Sequence, residues 1–449
     1  MREKRFYRYF KSCIKESPMR QEMKVKYLFL IVVFPLFFLS SYSQAITLNE
    51  AINIALKNNS RILLAKEKVK EAEQKVKEAT AGYLPSFNLN GTYTHLGEVP
   101  SISIPHVGEF PMGEQDTTSL TFSLTQPLYT SGKLTLASKQ ARLNYRRAKQ
   151  DLKNTQDNLI FQVKQSFYSV LLAKENLKIR EQALHQAKLH LKVVESFYQS
   201  GRASRFDLLR AKVQVANLKP DLIQAINNLN LARERLANLL SLPSSSLKIE
   251  GELKFQPTSL TLNEAIKTAF SSRADLMSLI ISKDIAKLAV RMARVKNQPT
   301  LSFVGNYEYK ISAEKDEWEK NWNINLVLSF PFFDSGKTKA FLEQRRSQLR
   351  QIELAVKQLK DAIQLEVKKA FWDLQAAKEA LSAQKQNINQ AQEALSIAEG
   401  RYKSGTITQV EVFDANLALT TARLNYTRAL YDYNLARASL VKAIGKEIK

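Results

Sequence analysis

The stretch SFPFFDSGKTKAF, residues 329–341, decides how the rest of the chain is read. Its Gly-Lys-Thr after an apolar run has the look of a phosphate-binding loop. Such a loop needs G-x-x-x-x-G-K-[ST], because glycine backbone must wrap its amides around the phosphates. Five residues before Gly336 stands Pro331, which supplies no amide and cannot take positive φ. An upstream counterpart, SLTQPLYTSGKLTL at 123–136, puts Leu134 where the magnesium-binding hydroxyl belongs. Nucleotide binding is rejected, and the paired stretches demand another reading.

They belong to a tandem duplication. TLNEAI starts at Thr47 and again at Thr261, 214 residues later. PLYTSGK (127–133) and PFFDSGK (331–337) lie 204 apart. QVKQSFYSVLLAKENL (162–177) matches EVKKAFWDLQAAKEAL (366–381), and FYQSGRASRFDLLRA (197–211) matches RYKSGTITQVEVFDA (401–415), both again at 204. Four matches in one order are a repeat, not chance. The ten extra residues of the first copy fall in GEVPSISIPHVGEFPMGEQD, 97–116, which reads as a Pro-rich loop.

The chain therefore divides into a leader and signal peptide (1–45), a first repeat (46–240), a linker (241–260) and a second repeat (261–449). Each repeat is predicted to open with a helix, about 47–82 and 261–297, followed by a strand pair, 86–128 and 300–332. A very long helix follows, 133–200 and 337–404; a Ser-Gly break and another helix, 204–240 and 406–445, complete the unit. The long helices hold no Pro, and no Gly before Gly400; each would run roughly 100 Å. Val170, Leu177, Leu184 and Leu191 recur every seven residues, as do Leu374, Leu381, Ile388 and Leu395, the spacing of a coiled-coil seam. Ala376, Ala380, Ala383 and Ala394 line the opposite flank, so a neighbour fits on both sides, which suits a tube wall.

The strand pairs alternate sharply. Phe87, Leu89, Gly91 and Tyr93 alternate with Asn and Thr; Leu120, Phe122, Leu124 and Leu128 with Ser and Thr. Leu301, Phe303, Tyr307, Tyr309 and Ile311, then Trp322, Ile324, Leu326, Leu328, Phe330 and Phe332, repeat the pattern. Aromatic-rich on one face and polar on the other, these are strands for a transmembrane barrel. Four strands cannot close one, and open edges in lipid are prohibitive. The chain must oligomerise, as two or three copies.

Totals agree. Only 13 Gly and 12 Pro punctuate 449 residues, and the net charge of +24 is spread along helices rather than gathered with aromatics, which argues against nucleic acid. The single Cys13 permits no disulfide or cysteine metal site, and His185 and His190 are expected to be solvated. MKVKYLFLIVVFPLFFLSSYSQA, 23–45, has the basic start, short apolar run and small-residue cleavage site of a secretory signal.

Together these features resemble the TolC family of outer-membrane channel proteins, over essentially all of 46–449. The resemblance implies a mainly α protein with transmembrane β. Its long helices would form an α-barrel, with four strands per chain entering a trimeric twelve-stranded outer-membrane β-barrel. It implies a homotrimer set in outer-membrane lipid and reaching across the periplasm of a Gram-negative-type bacterium. There it would be a passive exit duct for efflux or type I secretion, docking a periplasmic adaptor and an inner-membrane pump. Pairs of shorter helices would stack end to end to match the long ones, with the linker at the tube's equator. No enzymatic activity, cofactor, metal or nucleic acid is implied.

The resemblance also assigns roles. The turns Ser200-Gly201-Arg202 and Ser404-Gly405-Thr406 would be the adaptor-docking helix tips. Tyr402, Glu411 and Asp414, with Asp207 of the first repeat, match the family's periplasmic aperture, where acidic rings attract cations; the alternative is that these are helix-start acids favoured by the dipole. Where some members carry an aperture-locking Arg this chain has Ile407, leaving Arg202 or Arg205 as substitutes. Pro85, Pro127, Gly132, Pro299, Pro331 and Gly336 are expected hinges between the two barrels. The competing reading is a periplasmic adaptor with a long α-helical hairpin, a class that usually carries Gly- and Val-rich modules and lacks four amphipathic strands.

Overall fold

The structure is a computed structural model that describes residues 46–244, 247–312 and 318–447; the predicted signal peptide lies outside them. Along the chain run helices α1 (Leu48–Asn58) and α2 (Ser60–Ala81), strands β1 (Ser86–His95), β2 (Ser101–Ile104), β3 (Gly108–Pro111) and β4 (Asp116–Tyr129), then helices α3 (Lys133–Gln199) and α4 (Arg205–Leu240). The second repeat supplies α5 (Leu262–Ser272), α6 (Ala274–Arg294), β5 (Thr300–Ser312), β6 (Glu319–Ser329), α7 (Lys337–Lys403) and α8 (Gln409–Ile444).

The antiparallel sheet has the order β1-β4-β5-β6, so the repeats meet at β4 and β5. Its register lines up the alternating faces. Leu89 sits opposite Phe122, which is opposite Tyr307, which is opposite Trp322. The next row holds Asn88, Ser123, Asn306 and Asn323, and Asn306 donates to Asn323 at 3.0 Å. One apolar and one amide-rich face result, and among the described residues nothing covers the aromatics: Phe87 and Trp322 are each exposed over about two thirds or more of their surface. No helix among the described residues is long and apolar enough to cross a membrane.

Below the sheet the helices lie in two tiers. Nearest the strands the order is α2-α3-α6-α7; farther away it is α4-α3-α8-α7. The two 67-residue helices run through both tiers. At mid-height two matching cores form. Ala51 and Ala55 of α1 pack with Ile62, Val163, Phe167, Val170, Leu236 and Leu240. Ala265 and Ala269 of α5 pack with Leu276, Ile363, Val367, Tyr433 and Leu440. Both TLNEAI stretches fold as capping boxes, Thr47 with Glu50 and Thr261 with Glu264, which satisfy orphan amides at each helix start.

Several expected elements differ in detail. The helices predicted over 47–82 and 261–297 are each broken, at Asn59 and Arg273, both in extended conformation. Asn59 accepts from the Arg61 amide and donates to the Leu239 carbonyl, each at 3.0 Å, so a side chain takes over bonds that a continuous helix would make itself. The loop 97–116 contains the small hairpin β2–β3, with Ile102 opposite Phe110. Strand β6 stops at Ser329, because Pro331 cannot extend a ladder and Phe332 N–H turns back to the Phe330 carbonyl. Helix α8 starts at Gln409 rather than 406, since Thr408 is its N-cap.

Candidate functional site at the helix tips and hinges

Each tip turn is closed by local chemistry. Gly201 and Gly405 take φ of 71° and 75°, the left-handed geometry that ends a helix without a Cβ clash. Arg202 N–H then bonds the Phe197 carbonyl at 2.7 Å, and Thr406 N–H the Arg401 carbonyl at 3.0 Å. Ser200 and Ser404 hydroxyls return to carbonyls of the turn just finished. The following helices open with capping boxes: Asp207 accepts from the Ser204 hydroxyl at 2.7 Å, and Glu411 from the Thr408 amide at 3.2 Å. Two of the expected aperture acids thus serve as the third-residue partners of the N-caps Ser204 and Thr408, closing the capping boxes of α4 and α8. Asp414, one turn on from Glu411, lines an open groove between α7 and α8 beside Gln384, Asn387 and Gln390.

Tyr402 faces the junction of the two hairpins. Its ring lies 5.2 Å from His190 and 6.0 Å from Phe197, and Phe413 meets the same imidazole edge-on at 5.1 Å. Gln409, itself buried, donates across to the Asp207 carbonyl at 3.1 Å, tying the start of α8 to the start of α4. His190 is therefore not solvated as the sequence suggested: it is half-buried, burial lowers its pKa, and its Nε2 has no partner. No sequence signal marks it, because its surroundings arrive from α7 and α8. Arg202 lies 4.6 Å over the Phe197 ring, and neither Arg202 nor Arg205 forms an ion pair among the described residues.

The hinges form a second cluster. Ser131-Gly132 and Ser335-Gly336 are consecutive left-handed residues just before α3 and α7. Ser131 donates to the Pro299 carbonyl and Lys133 to the Gln298 carbonyl at 3.1 Å, strapping the first hinge to the start of β5. In the second hinge Asp334 accepts from Asn297 at 3.0 Å and from the Thr338 amide at 2.9 Å. Those bonds from Thr338 and Asn297 hold its carboxyl down to about 2. Pro85 and Pro299 immediately precede β1 and β5, and Pro127 falls at a register shift in β4. The Gly-Lys-Thr of the opening stretch is thus spent on a helix start, with the Thr338 hydroxyl on Asn297.

The fold has counterparts among known proteins. The crystal structure of the Campylobacter jejuni CmeC outer membrane channel superposes with a TM-score of 0.77 at 17% identity, covering 90% of this chain and 86% of that one. Outer membrane protein TolC of Vibrio cholerae is 26% identical over 418 residues, 91% of this chain and 92% of its own. The cation efflux system protein CusC of Escherichia coli K12 is 24% identical over 407 residues, 86% and 85% of the two chains. The family profile described as outer membrane efflux protein matches residues 51–241 and 265–446, the two repeats in turn. With both repeats matched, the chain belongs to the outer membrane efflux protein family.

Proposed function

We propose that this protein is the outer-membrane exit duct of a tripartite efflux or secretion system, closed by three copies and driven by an inner-membrane pump through a periplasmic adaptor. The observation that carries this is the coincidence of open edges. The sheet ends at β1 and β6, the upper tier at α2 and α7, and the lower tier at α4 and α7. One whole side is thus β1, α2 and α4; the other is β6 and α7. Unpaired strand edges cannot stand in lipid, so β6 and α7 of one copy meet β1, α2 and α4 of the next. Exposed apolar side chains stand on both sides, Phe206 and Ile223 on one and Leu354, Leu365 and Trp372 on the other. The adaptor reading finds no support: the family match and the four-stranded sheet belong to the channel.

Within that ring, Glu411 and Asp414 would recur three times around the tip. Purified from outer membranes, the full chain is expected as a trimer that conducts in planar bilayers. A soluble, non-conducting monomer would end the channel reading. Glu411→Gln with Asp414→Asn is expected to lower cation preference; an unmoved reversal potential removes the acidic rings from the account.

A further inference from the structure

A groove of about 560 Å³ crosses the lower tier, with walls from α4, α3 and α8. It borders the mid-height core of the first repeat: Ala173 and Ala232 belong to that core and Leu172 packs against it, while Ser169, Asn176 and Arg180 open on the groove. On the three-copy reading proposed above, this is the wall of the duct, between the equator and the tip. Its volume falls in the range of sites for drug-sized molecules.

The lining has a definite chemistry. Arg180, Arg235 and Arg428 stand against one lining carboxylate, Asp221, which Arg180 holds at 2.7 Å. Arg428 pairs with Asp432 on its own helix at 3.1 Å, and Arg235 has no ion pair among the described residues. Asn176 also opens on the groove, and its buried side-chain oxygen has no partner. Leu172, Leu231 and Leu424 supply apolar area between these polar groups. The charge is opposite to that of Asp414 nearer the tip, and in keeping with the chain's +24. We infer that this groove is a way station for amphiphilic organic anions: the guanidinium of Arg235, supported by Arg428, takes the acid group, and the leucines take the hydrocarbon body. Planar guanidinium donors match carboxylate, sulfonate and phosphate oxygens, and a leucine-lined wall excludes part of the competing water. This inference rests on the channel reading.

Single channels of the full chain test it, with 8-anilinonaphthalene-1-sulfonate as the anionic blocker and N-phenyl-1-naphthylamine as its neutral counterpart. The sulfonate is expected to block the wild-type pore and the neutral amine not. Arg235→Gln with Arg428→Gln is expected to weaken the block roughly ten-fold, and Arg235→Gln alone to weaken it in part. Arg235→Lys, which keeps the charge, is expected to retain most of it. Arg235 is exposed and forms no ion pair among the described residues, so its replacement leaves the helix packing intact, which an unchanged unfolding temperature in detergent verifies. Equal block of wild type and the double variant, or equal block by the neutral amine, overturns the anion groove and leaves the channel standing. Absence of any conductance overturns the channel reading itself, and the groove with it.

Discussion

Gly445 shows how much one residue carries where two helices converge. It ends α8 with φ of 73°, and a Cβ there would stand 3.1 Å from Arg273 Cα and 3.2 Å from its nitrogen. That backbone cannot retreat easily. Arg273 breaks α5 from α6, and its guanidinium reaches Asp275 at 2.7 Å, Glu366 at 2.6 Å and the Ala443 carbonyl at 3.2 Å. Burial alone would raise the Asp275 pKa, but its bonds to Arg273 outweigh that and lower it. Gly445→Ala therefore adds left-handed strain to a steric conflict, at a cost of about 2 kcal/mol. A lowered unfolding temperature in detergent checks this; an unchanged one would mean that the α8 terminus relaxes freely. The Ser-Gly turns were legible in the sequence because a left-handed residue between helices needs only local chemistry. Arg273 and His190 were not, since their partners stand up to about two hundred residues away and nothing in their neighbours announces burial.

At the scale of elements, alternation and heptad spacing located both strand pairs and both long helices, because each pattern repeats often enough to survive a local exception. Breaks were harder. Asn59 interrupts a helix whose composition continues across it, and the interruption is stabilised by the distant Leu239 carbonyl. The hairpin β2–β3 was hidden by Pro100, Pro105 and Pro111 around its strands. The hinge before α7 combines local and distant bonds, and Asp334 is where they meet. A carboxyl depressed to about 2 in the folded chain contributes stability above its ordinary value near about 4. That contribution drains away as pH falls through about 2, and is full at neutral pH. Wild type is thus expected to lose hinge stability between about pH 4 and about pH 2. Asp334→Asn, still a cap for Thr338 but without the charge, should lose less over the same window. Thermal unfolding of both proteins across that range measures the difference; parallel curves would show that the hinge does not depend on ionised Asp334.

For the whole molecule, the decisive property is that one chain is an unfinished wall. Its α7 presents Leu365 and Trp372 on one line of the helix, each more than half exposed, while the opposite face of the same helix carries the buried Ile363, Val367 and Leu374. A helix apolar on both flanks has room for a second neighbour, and among the described residues no helix packs on that side. The corresponding gap on the other side is bounded in the lower tier by Phe206 and Ile223 of α4. Because the two sides differ, contact between them in the proposed assembly would be head to tail and would close only as a ring. Leu365→Asp with Trp372→Asp would put two carboxylates into that seam without touching either equatorial core. Exposed substitutions of this kind change single-chain stability by about 0.5 kcal/mol or less. An unpaired charge buried in an interface costs several kcal/mol, on the order of what holds a moderate contact together. The variant is expected to keep the wild-type helical content and to elute from detergent columns as a monomer, with no cross-linked trimer. If it assembles as the wild type does, α7 is not the seam, and closure would have to run through the strands alone.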